Sequence, residues 1–416
     1  MRLHLQNIGP LREAAIDLAH DLILLTGPNG TGKTFAAYCV YGAEDYQYFV
    51  DNKPFYKKIV LENEDIDDAI NEYTASVIDS SNAIITKSLP DLFAQNPAFF
   101  KNASIRLIHS EDDQLLLRQI FSSVKNSLTK DMMEKLESIF EFDNKTKNLT
   151  NDQTIDFILD AFAEALKQDA FLPQSYIFPT ERVAFSSLYL DMEPEYADKK
   201  KVKRYTKPAR DHLAFLNGMV KASKNTSELA YIADWLETEL LKGKIITSQY
   251  GELRYKPTGD KNNYSISVSA SVTQSLASLV FYFRHLAKAG DRIIIDEPEL
   301  NLHPDNQRLI ARFLVRAMNA GVRILISTHS DHLIRELNNL MMLGSKQDTK
   351  VAKALMREFK YKKEDLLDHK KVGVYLFQGN GCTELEVSET GFEVATIDAV
   401  IMKSNEQSDA IYNALF

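Results

Sequence analysis

The first residues alternate apolar and polar positions. "RLHLQNI" and "EAAIDL" put every second side chain on one face, the pattern of half-buried strands. "DLILLTG" is apolar throughout and reads as a strand buried on both faces. A glycine-rich loop and the helical stretch "KTFAAYCVYGA" follow, so residues 1 to about 60 read as strands, a loop and a helix. Across 61–170 the pattern turns mostly helical and polar, with "EDIDDAINEYTASVIDS", "DMMEKLESIFEF" and "QTIDFILDAFAEALKQ" repeating apolar residues every three or four positions. A β-like piece, "QSYIFPTERVAF" at 174–185, precedes a charged loop, the helix "SELAYIADWLETELLKG" and a meander reaching about residue 270. From 271 to 343 helices alternate with short β-branched strands, which predicts βαβ units on a parallel sheet. The tail carries hairpin signals, "VGVYLF", "GNG" and "TELEV", then "ETG" before "FEVA". No internal repeat or low-complexity segment interrupts this order. The expected class is α/β.

Composition adds bounds rather than identity. The chain has 416 residues, 44% hydrophobic and 26% charged, an ordinary balance for a soluble protein of one large domain or two. Cys39 and Cys382 lie far apart with no metal-ligand spacing, which fits a reducing cytoplasm. The amino terminus lacks the apolar core of a signal peptide, and no apolar run approaches the ~18 residues needed to span a bilayer, so no membrane association is expected. The net charge of −9 does not draw the chain toward nucleic acid in bulk. One local exception is "KKKVKRYTKPAR", Lys199 to Arg210, with seven positive charges in twelve residues. It reads as a solvated loop, a grip on nucleic-acid phosphates, or a contact for an acidic protein partner.

"GPNGTGKT", Gly27 to Thr34, fits G-x-x-x-x-G-K-[ST] without deviation and stands between a buried strand and a helix. Glycines let the backbone N–H groups of Gly27, Asn29, Gly30, Thr31 and Gly32 wrap phosphate oxygens, and the helix N-terminus adds partial positive charge. Lys33 is expected to reach the β- and γ-phosphates and the Thr34 hydroxyl to bind Mg²⁺. A second apolar strand, "DRIIIDEPELNLHP", runs three isoleucines into Asp296 and Glu297. That pair is expected to hold Mg²⁺ through Asp296 and to activate water through Glu297 as general base. A third strand, "GVRILISTHS", ends at His329, placed to bond the γ-phosphate or orient the water. The helix between the last two strands runs from Pro304 toward Gly321 and aligns Leu309, Ile310, Phe313, Leu314 and Ala317 on one face. ATP and Mg²⁺ are the cofactors these motifs predict.

Lys33 and Asp296 stand about 260 residues apart, more than small GTPases or nucleotide kinases place between the two motifs. Families with a split ATPase head and an inserted lid or arm do separate them so widely. Before the second motif, "SVSASVTQSLASLVFYFRHLAKAG" is a polar loop entering a helix with Leu276, Leu279, Val280, Phe283 and Leu286 at helical spacing. It resembles the signature loop of ABC-type ATPases, with Ser271 and Gln274 at the serine and glutamine positions and Val272 and Thr273 replacing the two glycines.

Together "LTGPNGTGKT", "FPTERVAF", "SASVTQSLASL", "IIIDEPELNLHPDNQ" and "LISTHSDHLIRELNNL" resemble the OLD-like (overcoming lysogenization defect) branch of ABC/SMC-type ATPases. More narrowly the chain is similar to the stand-alone ATPase subunits of PARIS-type anti-phage systems. The resemblance spans about 1–45 and 170–416. It implies a P-loop head of mixed sheet and flanking helices, its first part at 1–60 and its second at 171–416, split by a mostly helical lid or assembly region at 61–170. It also implies a head-to-head homodimer, or a higher oligomer, sandwiching ATP, with Ser271 and Gln274 facing the partner's nucleotide. Glu299, Asn301 and His303 become a loop at that dimer interface. Glu181 and Arg182 lie near the head core, with Arg182 either sensing nucleotide or serving as a surface ion-pair partner.

OLD proteins proper carry a nuclease that needs a Glu and a D-x-D pair. Fewer than ninety residues follow His329, and Asp365 and Asp368 there do not have D-x-D spacing. "DID" at 65–67 sits in an acidic helical stretch, and Arg323 to His329, a formal ribonuclease spacing, belongs to the third strand. A separately encoded effector is therefore the expected partner. Two functions follow as expectations: a nucleotide-driven switch in phage defence, or a DNA-maintenance ATPase of the SMC/RecF kind.

Overall fold

The computed structural model describes residues 1–44, 85–108, 174–189, 205–248 and 250–416. The amino-terminal strands are β1 (Arg2–Ile8), β2 (Leu11–Asp17) and β3 (Leu22–Thr26). They are followed by β4 (Ser104–Ile108) and β5 (Ser175–Phe178). A separate antiparallel meander consists of β6 (Gly243–Thr247), β7 (Leu253–Pro257) and β8 (Tyr264–Ser265). The carboxy-terminal strands are β9 (Arg292–Asp296), β10 (Arg323–Thr328), β11 (Val372–Gln378) and β12 (Gly381–Leu385).

Among the described residues the main sheet has nine strands in the order β4-β1-β2-β12-β11-β3-β10-β9-β5. From β11 to β5 every neighbouring pair is parallel. The β1–β2, β1–β4 and β11–β12 pairs are antiparallel, so the sheet is mixed, as expected. The parallel part has helices on both faces, which is why β3, β9 and β10 are apolar throughout. Successive residues of these strands serve two separate cores. Leu22, Leu24, Ile293, Ile295, Ile324 and Ile326 face one, and Ile23, Leu25, Ile294 and Leu325 face the other.

The first helix, α1 (Lys33–Glu44), covers the second of these faces. Short helix α2 (Arg182–Leu188) follows β5, and α3 (Lys207–Asn217) begins at a Thr206 cap with Pro208 in its first turn. Helix α4 (Ala230–Trp235) runs on into a π-helical turn, Leu236–Leu241. Helices α5 (Ser271–His285), α6 (Pro304–Asn319) and α7 (Asp331–Ser345) cover the first face. The apolar faces expected of α5 and α6 are the buried ones: Leu276, Leu279, Val280 and Phe283, then Ile310, Phe313, Leu314 and Ala317, are fully enclosed. Arg308 and Arg312 of α6 both bind the enclosed Glu336 of α7, fixing the two helices against each other.

Three parts of the pattern reading change. Residues 104–108, expected within a helical insertion, form β4 at the edge of the main sheet, with Leu3 opposite Leu107 and Leu5 opposite Ile105. "QSYIFPTERVAF" is strand only as far as Phe178; Pro179 ends the ladder and a helix starts at Arg182. The tail hairpin forms, but "ETG" makes only a single bridge between Ser388 and Gly391, and a 21-residue helix, Ala395–Leu415, follows it. Most of the expected lid lies outside the described residues, as does the "DID" stretch. No helix among the described residues is long and apolar enough to cross a membrane.

Candidate nucleotide site

Four adjacent parallel strands, β3, β10, β9 and β5, end at one edge of the sheet. Their carboxyl ends deliver the glycine loop, His329, Asp296 with Glu297, and the turn to Arg182. Open α/β sheets bind ligands at this edge. The register is close: Thr328 stands opposite Thr26, and Ser327 opposite Asp296.

The glycine loop needs its glycines sterically. Gly27 has φ +130° and a Cβ there would meet the Phe377 carbonyl oxygen at 2.1 Å. Gly32 has φ +99° and a Cβ there would press on Leu11 at 2.7 Å. Pro28, Asn29 and Gly30 are exposed at the loop's outer side. Lys33 Nζ donates to the carbonyl oxygens of Gly27 and Pro28, each at 2.8 Å. Burial lowers its pKa, opposed by the carboxylates of Glu297, Asp296 and Glu299. A nucleotide's phosphates would take over these donors.

Thr34 Oγ1 donates to Asp296 Oδ2 at 3.1 Å. Ser327 Oγ also donates to Asp296. Asp296 is buried, and burial raises its pKa despite those bonds. Two hard oxygens, one of them on a desolvated carboxylate, fit Mg²⁺, which takes few protein ligands and fills its shell with phosphate and water. Among the described residues no group of three His, Cys, Asp or Glu is placed to hold a metal unaided. Phosphate and water oxygens would complete the shell of an ion held there.

Glu297 adopts φ +50°, a left-handed conformation unusual for a side chain of its size. Its N–H donates to the Ser327 carbonyl at 3.1 Å, and its carboxylate stays partly exposed, 3.6 Å from His329 Nδ1. The His329 ring is half-exposed, whereas its backbone N–H donates to the buried Glu299 carboxylate at 3.0 Å. Glu299 also accepts from Thr328 Oγ1 at 2.7 Å, so it anchors the turn carrying His329. Asp296 lies buried beside Thr34, while the Glu297 carboxylate and the His329 ring are partly exposed, an arrangement that would let the first pair hold a cation and the second polarise a water.

Arg182 corrects the surface reading offered for it. It is fully buried, not on the surface, and its guanidinium donates to Asp296 O at 2.6 Å, Glu297 O at 2.7 Å, Pro179 O at 3.0 Å, and both Ser275 O and Ser275 Oγ at 3.3 Å. These acceptors use all five N–H donors, leaving none for a phosphate. Burial lowers its pKa to about 10, so it stays charged at neutral pH. Glu181, beside it, is exposed and provides no side-chain cap for α2.

Ser271 and Gln274 sit in the first turn of α5, which has no side-chain cap at Ala270. The Gln274 amide turns back to the carbonyls of Ser267 and Ser269, at 3.3 and 3.0 Å. No hydrogen bond among the described residues joins either side chain to the residues around Lys33 and Asp296. Asn301, with φ +63°, and the exposed His303, which caps α6, lie on the loop after Glu299. In the basic run only 205–210 is described. There Lys207 pairs with Asp211 and Arg210 with Asp91. Asp365 is buried against Arg316 and serves the fold.

Two contributors went unread in the sequence. Ser327 had a signal, a polar residue inside an apolar strand beside the acidic one. Ser275 had none, because its carbonyl does as much as its side chain.

A glycine loop, a threonine and an acidic strand end meeting at the carboxyl edge of a parallel sheet define a P-loop ATPase. The chain belongs to the AAA ATPase domain family, whose model matches residues 1–334. Solved structures similar to it include an SMC head bound to the C-terminal winged-helix domain of ScpA, at 12% identity over 93% of this chain and 97% of that chain, TM-score 0.40. The SMC head domain from Thermotoga maritima matches at 10% identity over 93% and 98%, TM-score 0.36. A Pyrococcus furiosus SMC head with an extended coiled coil, bound to the C-terminal domain of ScpA, matches at 9% identity over 97% and 98%, TM-score 0.32. No curated protein matches the chain.

Proposed function

We propose that this ATPase is a nucleotide-driven switch of bacterial anti-phage defence, closing head-to-head on a second copy around Mg-ATP and controlling a separately encoded effector. The observation carrying its ATPase part is the convergence of Lys33, Thr34, Asp296, Glu297 and His329 at one sheet edge, with Thr34 and Asp296 in contact; the defence role rests on the resemblance of the motifs to the OLD-like branch. Lys33 and the loop amides bind the triphosphate, and Thr34 and Asp296 hold Mg²⁺, which supplies charge neutralisation at the phosphates when bound. Glu297 accepts the proton of the attacking water, and His329 bonds the γ-phosphate or orients that water. The first turn of α5, bearing Ser271 and Gln274 and without a side-chain cap, offers the N–H groups of Ser271 and Val272 toward a neighbouring protomer's nucleotide. ATP binding then favours the closed pair and hydrolysis reopens it.

The defence role is tested by phage plating on cells carrying this chain with the product of its adjacent gene. Protection is expected with the wild type and absent with Lys33→Ala. Equal protection by both contradicts the reading.

A DNA-maintenance ATPase of the SMC/RecF kind is the second reading, and it leans on the run Lys199–Arg210. Within its described part both cations are occupied by acids of the same chain, which lowers their use to DNA. ATP-dependent, salt-sensitive retention of a duplex, lost on charge reversal of that run, would favour it.

A further inference from the structure

We propose that Arg182 is a positioning residue for hydrolysis: it holds the main chain of Asp296 and Glu297 in the conformation that presents the Glu297 carboxylate, and ties that conformation to the first turns of α5. The inference rests on Glu297 acting as the base, as proposed above.

Glu297 sits at φ +50°, where L side chains crowd their own backbone, so something outside the residue must hold it there. Bonds on both sides of the residue do so, among them the Leu300 N–H, which donates to the Glu297 carbonyl at 3.1 Å. On one side the Glu297 N–H is bonded to the Ser327 carbonyl. On the other, its carbonyl and that of Asp296 accept from Arg182 Nη2 and Nη1 at 2.7 and 2.6 Å. Losing the guanidinium removes its bonds to both carbonyls and leaves the Glu297 carbonyl only the Leu300 N–H at 3.1 Å, so the main chain through Glu297 can relax toward ordinary dihedrals. That relaxation re-aims the Glu297 side chain but leaves the glycine loop and Lys33, on another strand, untouched.

The same guanidinium reaches Ser275, one residue beyond Gln274, through both its carbonyl and its hydroxyl. Arg182 is thus a rigid planar link between the strand end that carries the base and the helix whose amino terminus is the proposed contact for a second nucleotide. A small displacement of that turn must move Glu297 or break these bonds. Lysine cannot substitute: its three donors on one nitrogen do not span acceptors on three elements.

The test compares steady-state ATP hydrolysis and fluorescent-ATP binding for wild type, Arg182→Lys and Ser275→Ala, with thermal melts in parallel. Arg182→Lys is expected to lower kcat by about 10–100-fold with KM and nucleotide affinity within about threefold of wild type. Ser275→Ala, which removes one bond, is expected to lower kcat by about two- to fivefold at unchanged KM, and the double variant to be no worse than Arg182→Lys. A merely structural role predicts lower Tm with kcat per bound nucleotide unchanged, and that result overturns the proposal. If Arg182→Lys shows no cooperative melt, Ser275→Ala decides: reduced kcat supports the link and wild-type kcat refutes it. A wild type that binds ATP without hydrolysing it refutes the assigned base instead, so the two failures are distinguishable.

Discussion

The Thr34 hydroxyl donates to Asp296 at 3.1 Å although 262 positions separate the two residues in sequence. Thr34 opens α1 beside the glycine loop, and Asp296 ends β9 two strands away, beyond β10. Both face the same point at the sheet edge, where a small hard cation has its natural oxygen donors. Thr34→Ala is therefore expected to raise the Mg²⁺ concentration for half-maximal hydrolysis by about 10–100-fold while the protein folds normally. A metal titration of the ATPase rate checks this.

Asp296→Asn is expected to abolish Mg²⁺-dependent hydrolysis yet raise the Tm of the nucleotide-free protein at neutral pH. Burial raises the pKa of Asp296, so the fold favours its neutral form. The sign follows: the contribution to stability is present below the unfolded carboxyl value and lost as pH rises through the raised folded value. Once ionised, the native aspartate is a desolvated charge, which the asparagine removes. Melts at pH 7.5 and in mild acid test it, with the gain shrinking as Asp296 itself takes up a proton.

Lys33→Ala is expected to weaken ATP binding by at least about 100-fold, because a point charge at the phosphates is lost and two loop carbonyls lose their donor. Fluorescent-nucleotide titration reads this, and affinity unchanged from wild type is the contrary result.

His329→Ala is expected to lower kcat by about 10–100-fold with ATP affinity retained, since the ring stands 3.6 Å from the Glu297 carboxylate and is half-exposed toward solvent. Equal losses in affinity and kcat would place the ring on the substrate's ground state rather than the reacting water.

Gly27→Ala is expected to destabilise the fold by about 2–4 kcal/mol, because its methyl would enter the Phe377 carbonyl and its φ is forbidden to alanine. Gly30→Ala, where a Cβ meets nothing, carries only the backbone cost and is expected to melt closer to wild type. Thermal melts of the two variants give the comparison.

The parts of the site legible in the sequence share one property: their function resides in residue type at fixed spacing. "GPNGTGKT" works through its glycines, lysine and threonine, and "IIIDE" through an apolar strand ending in acids, so both can be read without a fold. The strand at 104–108 was hidden because its partner β1 lies about a hundred positions upstream and five residues are too few for an unambiguous period. The role of Arg182 was hidden for another reason. Its acceptors are mainly backbone carbonyls, which every residue carries, so no spacing of side chains announces them. The helix 395–415 has apolar residues without a single buried face, leaving Val400, Ile411 and Leu415 exposed and the pattern weak.

The most direct measurement is phosphate release and ATP retention by wild type and Glu297→Gln under saturating Mg-ATP. Turnover by the wild type is predicted, together with a variant that binds ATP as tightly, releases phosphate at least about 100-fold more slowly and elutes as a dimer on sizing with ATP. Hydrolysis by Glu297→Gln at the wild-type rate would contradict the account.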